Sequence, residues 1–235
     1  MRSVDVFIVA RKRDDDPLVA ARRELLARHG IADKPVIEVR DPERDRDWTT
    51  TGSRAGYERA VRDWHEARAE AFEEVLLEHG GDVGFLVWGD PAFYDSTIRI
   101  VDRIARRGRA LFDVEVLPGI SALQVLAARH QIVLHDVGGP IHVTTGRRLR
   151  EAVEQGENNI LVMLDGDLAC ERLDDDWSIW WGANLGTEDE ALVQGGLADV
   201  LDGIRRNRAI VRKNAGWVMD TYLLRRAAPE KSDFR

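Results

Sequence analysis

The stretch FLVWGDPAFYDSTIRI, residues 85–100, decides how this chain is read. It opens as a continuous apolar run, Phe85-Leu86-Val87-Trp88, of the kind a strand shows when helices cover both its faces. It breaks at Gly89-Asp90-Pro91. It resumes with Ile98, Val101 and Ala105 at steps of three and four, the spacing of one helix face. Strand, break, helix is the repeating unit of a parallel α/β sheet.

The same unit recurs on either side. Residues 4–10 read as a strand, 17–29 as a helix with Asp15 or Asp16 as N-cap and Gly30 as its stop, and 36–39 as a short strand. Residues 41–52 are polar and read as a loop. In 55–79, Tyr57, Val61, Trp64, Arg68, Phe72, Val75 and Leu76 share one helix face, and Gly80-Gly81 ends it. A strand over 83–88 follows, then a helix over 97–107 closed by Gly108. A strand over 112–117 ends in Pro118-Gly119 and leads into a helix over 120–130.

At residues 135–140, HDVGGP is a turn-rich joint, and the domains are set at 1–135 and 140–235. The second half reads as a strand over 141–144, a turn at Gly146, a helix over 147–154, strands over 159–164 and 178–182, and a helix over 197–206. Apolar segments follow at 209–211 and 217–224. Extended segments crowd closer here, which predicts a mixed sheet. The fold class is therefore α/β, with a parallel sheet in the N-terminal domain and a mixed sheet in the C-terminal one.

The 235 residues, 44% of them hydrophobic, suffice for a sizeable core. Lys and Arg total 34 against 42 Asp and Glu, a net −8, which argues against a nucleic-acid partner. The single cysteine, Cys170, permits no internal disulfide and fits a reducing cytoplasm. The first apolar run is too short to span a membrane, and no other segment approaches a span. The chain has no phosphate-loop, dinucleotide or nucleophile-elbow motif. His130, His135 and His142 lack a zinc spacing, and Asp165-Gly166-Asp167 lacks a calcium-loop spacing, so no metal site is expected.

In an open parallel sheet, ligands sit outside the carboxyl ends of the strands. Two such ends carry glycine breaks ahead of helices: Trp88-Gly89-Asp90-Pro91, and Leu117-Pro118-Gly119-Ile120-Ser121-Ala122. Each break is an ordinary turn when taken alone; on successive units of one sheet they mark a site. A third strand end, Val143-Thr144-Thr145-Gly146-Arg147-Arg148, sets arginines behind a glycine turn, suited to bidentate carboxylate binding.

The order VWGDPAFYDSTIRI, FDVEVLPGISALQVLAARHQI, VTTGRRL, VMLDG, WWGANLGTEDE, GWVMDTYLLRR resembles the S-adenosylmethionine-dependent tetrapyrrole methyltransferases of cobalamin biosynthesis, over nearly the whole chain. The resemblance implies two αβα domains with S-adenosyl-L-methionine in the cleft between them. Gly89, Asp90, Phe93, Ser121, Ala122, Met163, Leu164, Gly182 and Gly186 would hold it. The substrate implied is a precorrin, a macrocycle fringed with carboxylates, which gives Arg147 and Arg148 a partner. The reaction implied methylates a ring carbon and releases acetate. Asp90, Tyr94 and His130 are candidates for its acid–base work by residue type, with His130 read rather as a satisfied helix-end histidine. A homodimer is a further implication.

The resemblance lacks one part. The family's first strand, and the glycine-rich loop after it with its active-site Asp, have no counterpart, and residues 4–10 match the family's second strand. In the family that first strand lies between the strands matching 85–88 and 112–117, so both edges are expected to want a partner here. The start of the protein is accordingly expected upstream. The alternatives are a catalytically silent remnant that still binds cofactor or tetrapyrrole, and a methyltransferase of the same fold acting on another precorrin.

Overall fold

The computed structural model describes residues 3–43, 54–174 and 176–226. The chain divides into two compact units, Met1–Gly119 and Ile120–Arg235.

The first unit is built on a parallel sheet of order β2-β1-β3, from β1 (Val6–Arg11), β2 (Val36–Arg40) and β3 (Val83–Phe85). Helix α1 (Pro17–Arg28) connects β1 to β2, and α2 (Arg54–Glu78) lies between β2 and β3. Helix α3 (Thr97–Arg107) follows. Alternate residues of β1 point to opposite faces. Phe7 packs with Leu26 of α1, while Ile8 joins Ala69, Phe72, Ile100 and Ile104 of α2 and α3. The N-cap of α1 is Asp16, whose side chain accepts from Leu18 N, and Gly30 and Gly108 take the left-handed conformations that their stop positions require. The expected loop over 41–52 lies mostly outside the described residues.

Two expected strands differ. β3 stops at Phe85 instead of Trp88, and 112–117 forms no ladder. Leu111, Val114, Val116, Leu117 and Ile120 stand exposed, Leu111 at 95%. A strand is held by its neighbours' backbone groups, and among the described residues no strand pairs with the outer edge of β3. Just past β3, Arg22 Nε donates to Leu86 O at 3.0 Å, and its guanidinium lies over Trp88.

The second unit carries a mixed sheet of order β4-β5-β8-β6-β7. Its strands are β4 (His142–Thr145), β5 (Asn159–Met163), β6 (Trp177–Ala183), β7 (Ala191–Gly196) and β8 (Asp220–Arg226). Helix α4 (Ala122–His130) covers one face, with Leu126 against Leu161, Met163 and Leu223. Helices α5 (Leu149–Glu154) and α6 (Leu197–Ala215) cover the other, around Ile160, Val162, Ile179, Trp181, Tyr222 and Leu224. Because α4 packs here, the unit boundary lies ahead of it. The joint expected at 135–140 is a turn inside this unit, where Asn159 Nδ2 donates to Leu134 O and Pro140 O, each at 3.0 Å.

Candidate active site

In the first unit, the two glycine breaks meet. The Asp90 carboxylate ties them: Oδ1 accepts from Ala92 N and Oδ2 from Gly119 N, both at 2.8 Å. A Cβ on Gly119 would lie 2.4 Å from Gly89 O, so this approach needs glycine. Gly89 itself is left-handed at φ 81°. Next along the chain, Phe93 and Tyr94 present partly exposed rings, and Tyr94 holds φ 53°. Asp95 Oδ1 then accepts from Thr97 N as α3 begins, and Ser96 Oγ pairs with His65 Nε2. Gly89, Asp90, Phe93 and Tyr94 thus form one turn beyond β3.

In the second unit, β4 and β5 run parallel, β8 runs against β5, and β6 runs against β8. The carboxyl ends of β4, β5 and β6 therefore fall at one end of the sheet. That end gathers Arg147 and Arg148 beyond β4, Met163 and Leu164 at β5, and the 182–186 segment at β6. Leu164 is left-handed at φ 52° and half exposed. Arg148 already pairs with Glu151, Nη2 to Oε1 at 2.6 Å.

Other expected residues serve the fold more directly. The space beside Gly182 is filled by Leu185, whose Cδ2 lies 2.6 Å from where a Cβ would stand. Gly186 N donates to Glu190 Oε2 at 2.6 Å, and Glu190 also pairs with Arg129. Ser121 is buried and donates through both N and Oγ to Gln124 Oε1, opening α4 ahead of Ala122. His130 sits at the far end of that nine-residue helix, roughly 13 Å away by helical rise. Its Nδ1 pairs with Gln194 Oε1 and its Nε2 with Trp181 O, both at 3.0 Å, so both ring nitrogens are occupied.

Sequence reasoning missed a buried polar group behind these strand ends. Asp165 accepts from Asp167 N, Ala169 N and Tyr222 Oη. Arg208 Nε donates to Asp220 Oδ2 at 2.7 Å, and Trp181 Nε1 to the same oxygen at 3.3 Å. Asn184, left-handed and buried, binds the main chain ahead of β8, accepting from Met219 N and donating to Trp217 O. The one local signal was Asp165-Gly166-Asp167, a common pattern for a side chain that caps its own loop. Its partners on β8 and α6 are invisible to local pattern.

Burial pushes Asp220 above the usual carboxylate range, against the pull of Arg208. Burial, and then the nearby Asp165 charge, push the Cys170 thiol from 9.0 to about 12. Unfolded, that thiol ionises from about pH 9; folded, it stays protonated until about 12. The unfolded state loses its proton first, so stability falls as pH rises through that window, by at most about 1.4 kcal/mol per pH unit. Cys170→Ala is expected to flatten the fall between pH 9 and 11 in urea melts, and native Cys170 to resist iodoacetamide at pH 8 until denaturant is added.

Comparison with known proteins gives the family. The family model described as Tetrapyrrole (Corrin/Porphyrin) Methylases matches residues 1–201. The chain is a tetrapyrrole methylase. A precorrin-6A synthase [deacetylating] of Sinorhizobium sp is 42% identical over 228 residues, covering 95% of this methylase and 85% of that protein. The crystal structure of a cobalamin-synthesis-related protein (CobF) from Corynebacterium diphtheriae superposes with TM-score 0.78 at 35% identity, over 97% of the methylase and 89% of that chain. A uroporphyrin III C-methyltransferase from Thermus thermophilus, 17% identical with TM-score 0.54, shares the fold, over 94% of the methylase and 85% of that chain.

Proposed function

We infer that this methylase converts precorrin-5 to precorrin-6A, transferring a methyl group from S-adenosyl-L-methionine to a ring carbon with release of acetate. The observation that carries this reading is the 42% identity to a deacetylating precorrin-6A synthase over 95% of the chain.

The residues present fit such a cofactor. Main chain with left-handed breaks stands at the ends of β5 and β6, beside a half-exposed Leu164. The Gly89-Asp90 turn and Phe93 offer main chain and an exposed ring in the first unit. When bound, S-adenosyl-L-methionine supplies a methyl group already activated by its sulfonium. The chain's own task is then alignment and exclusion of water. Met163 and Leu164 would hold the cofactor by main chain, while Arg147 and Arg148 would receive substrate carboxylates. For Arg148 this means competing with Glu151. Of the three acid–base candidates, His130 has both ring nitrogens and Asp90 both carboxylate oxygens in hydrogen bonds, so a role for either in activating the water that removes acetate requires one of these bonds to open. A cytoplasmic location, read from the single cysteine, and a homodimer, implied by the family resemblance, belong to the same proposal.

The test is calorimetry with S-adenosylhomocysteine, followed by turnover of precorrin-5. Micromolar binding, on the order of −8 kcal/mol, is expected, with acetate and S-adenosylhomocysteine released in equal amounts. Binding without turnover would favour a silent cofactor-binding protein. Turnover of a different precorrin would keep the fold and change the substrate.

A further inference from the structure

Leu164 combines two features that oppose each other. It is left-handed at φ 52°, which strains a residue with a side chain by about 1–2 kcal/mol. It is also 53% exposed, so packing does little to offset that strain. Four residues on, Leu168 is left-handed too, at φ 53°, but it is buried in the core. Strained backbone persists where its surroundings over-determine it, and it gathers at ligand sites.

The surroundings here are the side chain of Asp165. Its Oδ1 accepts from Asp167 N at 3.2 Å. Its Oδ2 accepts from Ala169 N at 2.7 Å and from Tyr222 Oη at 2.5 Å. Arg208 Nη2 holds the same loop by its carbonyls, Asp165 O at 3.1 Å and Gly166 O at 2.6 Å. The carboxylate also reaches the neighbouring strand end. A Cβ on Gly146 would stand 2.3 Å from Asp165 Oδ1, so the turn that carries Arg147 closes directly against it.

We propose that Asp165 and Tyr222 are positioning residues that fix the Met163–Leu164 main chain for the cofactor and seat the Gly146 turn for the substrate. Neither touches the reacting atoms. Tyr222 lies on β8, in the middle of the sheet and fully buried, so its hydroxyl is a fixed reference for the carboxylate. The carboxylate passes that reference to two adjacent strand ends. The proposal rests on the cofactor reading above, in which Met163 and Leu164 hold S-adenosylmethionine.

Tyr222→Phe tests it, since it removes one hydroxyl from a buried ring and keeps the packing. The expected result is a folded chain whose dissociation constant for S-adenosylhomocysteine rises about tenfold. A glycine reaches the left-handed region without strain. In the Leu164→Gly chain the same Tyr222→Phe change is therefore expected to cost less than about threefold. A role in stability alone predicts equal losses in both backgrounds, and equal losses would overturn the proposal. The Cα and Cβ chemical shifts of Leu164 supply a second readout without ligand. They are expected to leave their left-handed values in Tyr222→Phe. If they stay, the positioning role fails whatever the binding data. Failure of the unaltered chain to bind S-adenosylhomocysteine would instead count against the cofactor reading, with the shifts still deciding the clamp.

Discussion

Arg208→Ala is expected to destabilise the second unit by about 3–5 kcal/mol near neutral pH, read from denaturant melts. The guanidinium is 15% exposed and its partner Asp220 is fully buried. Removing the arginine leaves a buried charge whose Oδ1 already lacks a hydrogen-bond partner among the described residues. Asp220 stands above its usual range because burial outweighs Arg208, so losing Arg208 raises it further. The folded state then binds a proton that the unfolded state, ionising near 3.8, does not. Stability of the variant should therefore recover as pH falls from neutral toward that value. A loss unchanged across this range would mean that Arg208 acts by packing. Activity should fall as well, because Arg208 also holds Asp165 O and Gly166 O.

Trp181→Ala should cost a comparable amount, about 3–5 kcal/mol, for a different reason. Trp181 is one of the largest fully buried side chains and packs among Ile179, Tyr222 and Leu224. Its removal opens a cavity that the surrounding sheet and α6 cannot fully close. Trp181→Phe separates the contributions: it keeps most of the ring volume and loses the bond to Asp220 Oδ2. About 1–2 kcal/mol is expected for that change. Equal losses for the two variants in thermal melts would contradict the cavity account.

How much of this was legible in advance depends on how far apart the deciding residues lie. The helix Thr97–Arg107 was read to the residue, because its apolar spacing and the Gly108 stop are local signals. β7 was missed: Ala191–Gly196 ends in two glycines and follows an acidic turn, which reads as loop. α6 was cut short at 206, although it runs to Ala215, because Ile210 and Val211 look like the start of a strand. Ile204 and Val211, seven residues apart and both buried, carried the helical period past that point. At the site, the strand-end glycines and the arginine turn were visible because chain breaks are written locally. The joining of Asp90 to Gly119, of Asp165 to Tyr222 and of Arg208 to Asp220 was not. Each pair forms only when the sheets assemble, and nothing in either residue's own neighbourhood announces the other.

Among the described residues, the unpaired edge of β3 and the exposed side chains of residues 113–117 also bear on how the protein behaves in company. An open edge and exposed apolar side chains are what a second molecule needs for strand addition. Asp113 and Glu115 alternate with Val114 and Val116 along that segment. Two copies that meet there in register face each other with like charge, which holds them apart at low ionic strength. Salt removes this barrier within about 10 Å at 0.1 M. Self-association is therefore expected to rise with ionic strength, read by light scattering, through two carboxylates that take no part in the hydrophobic core.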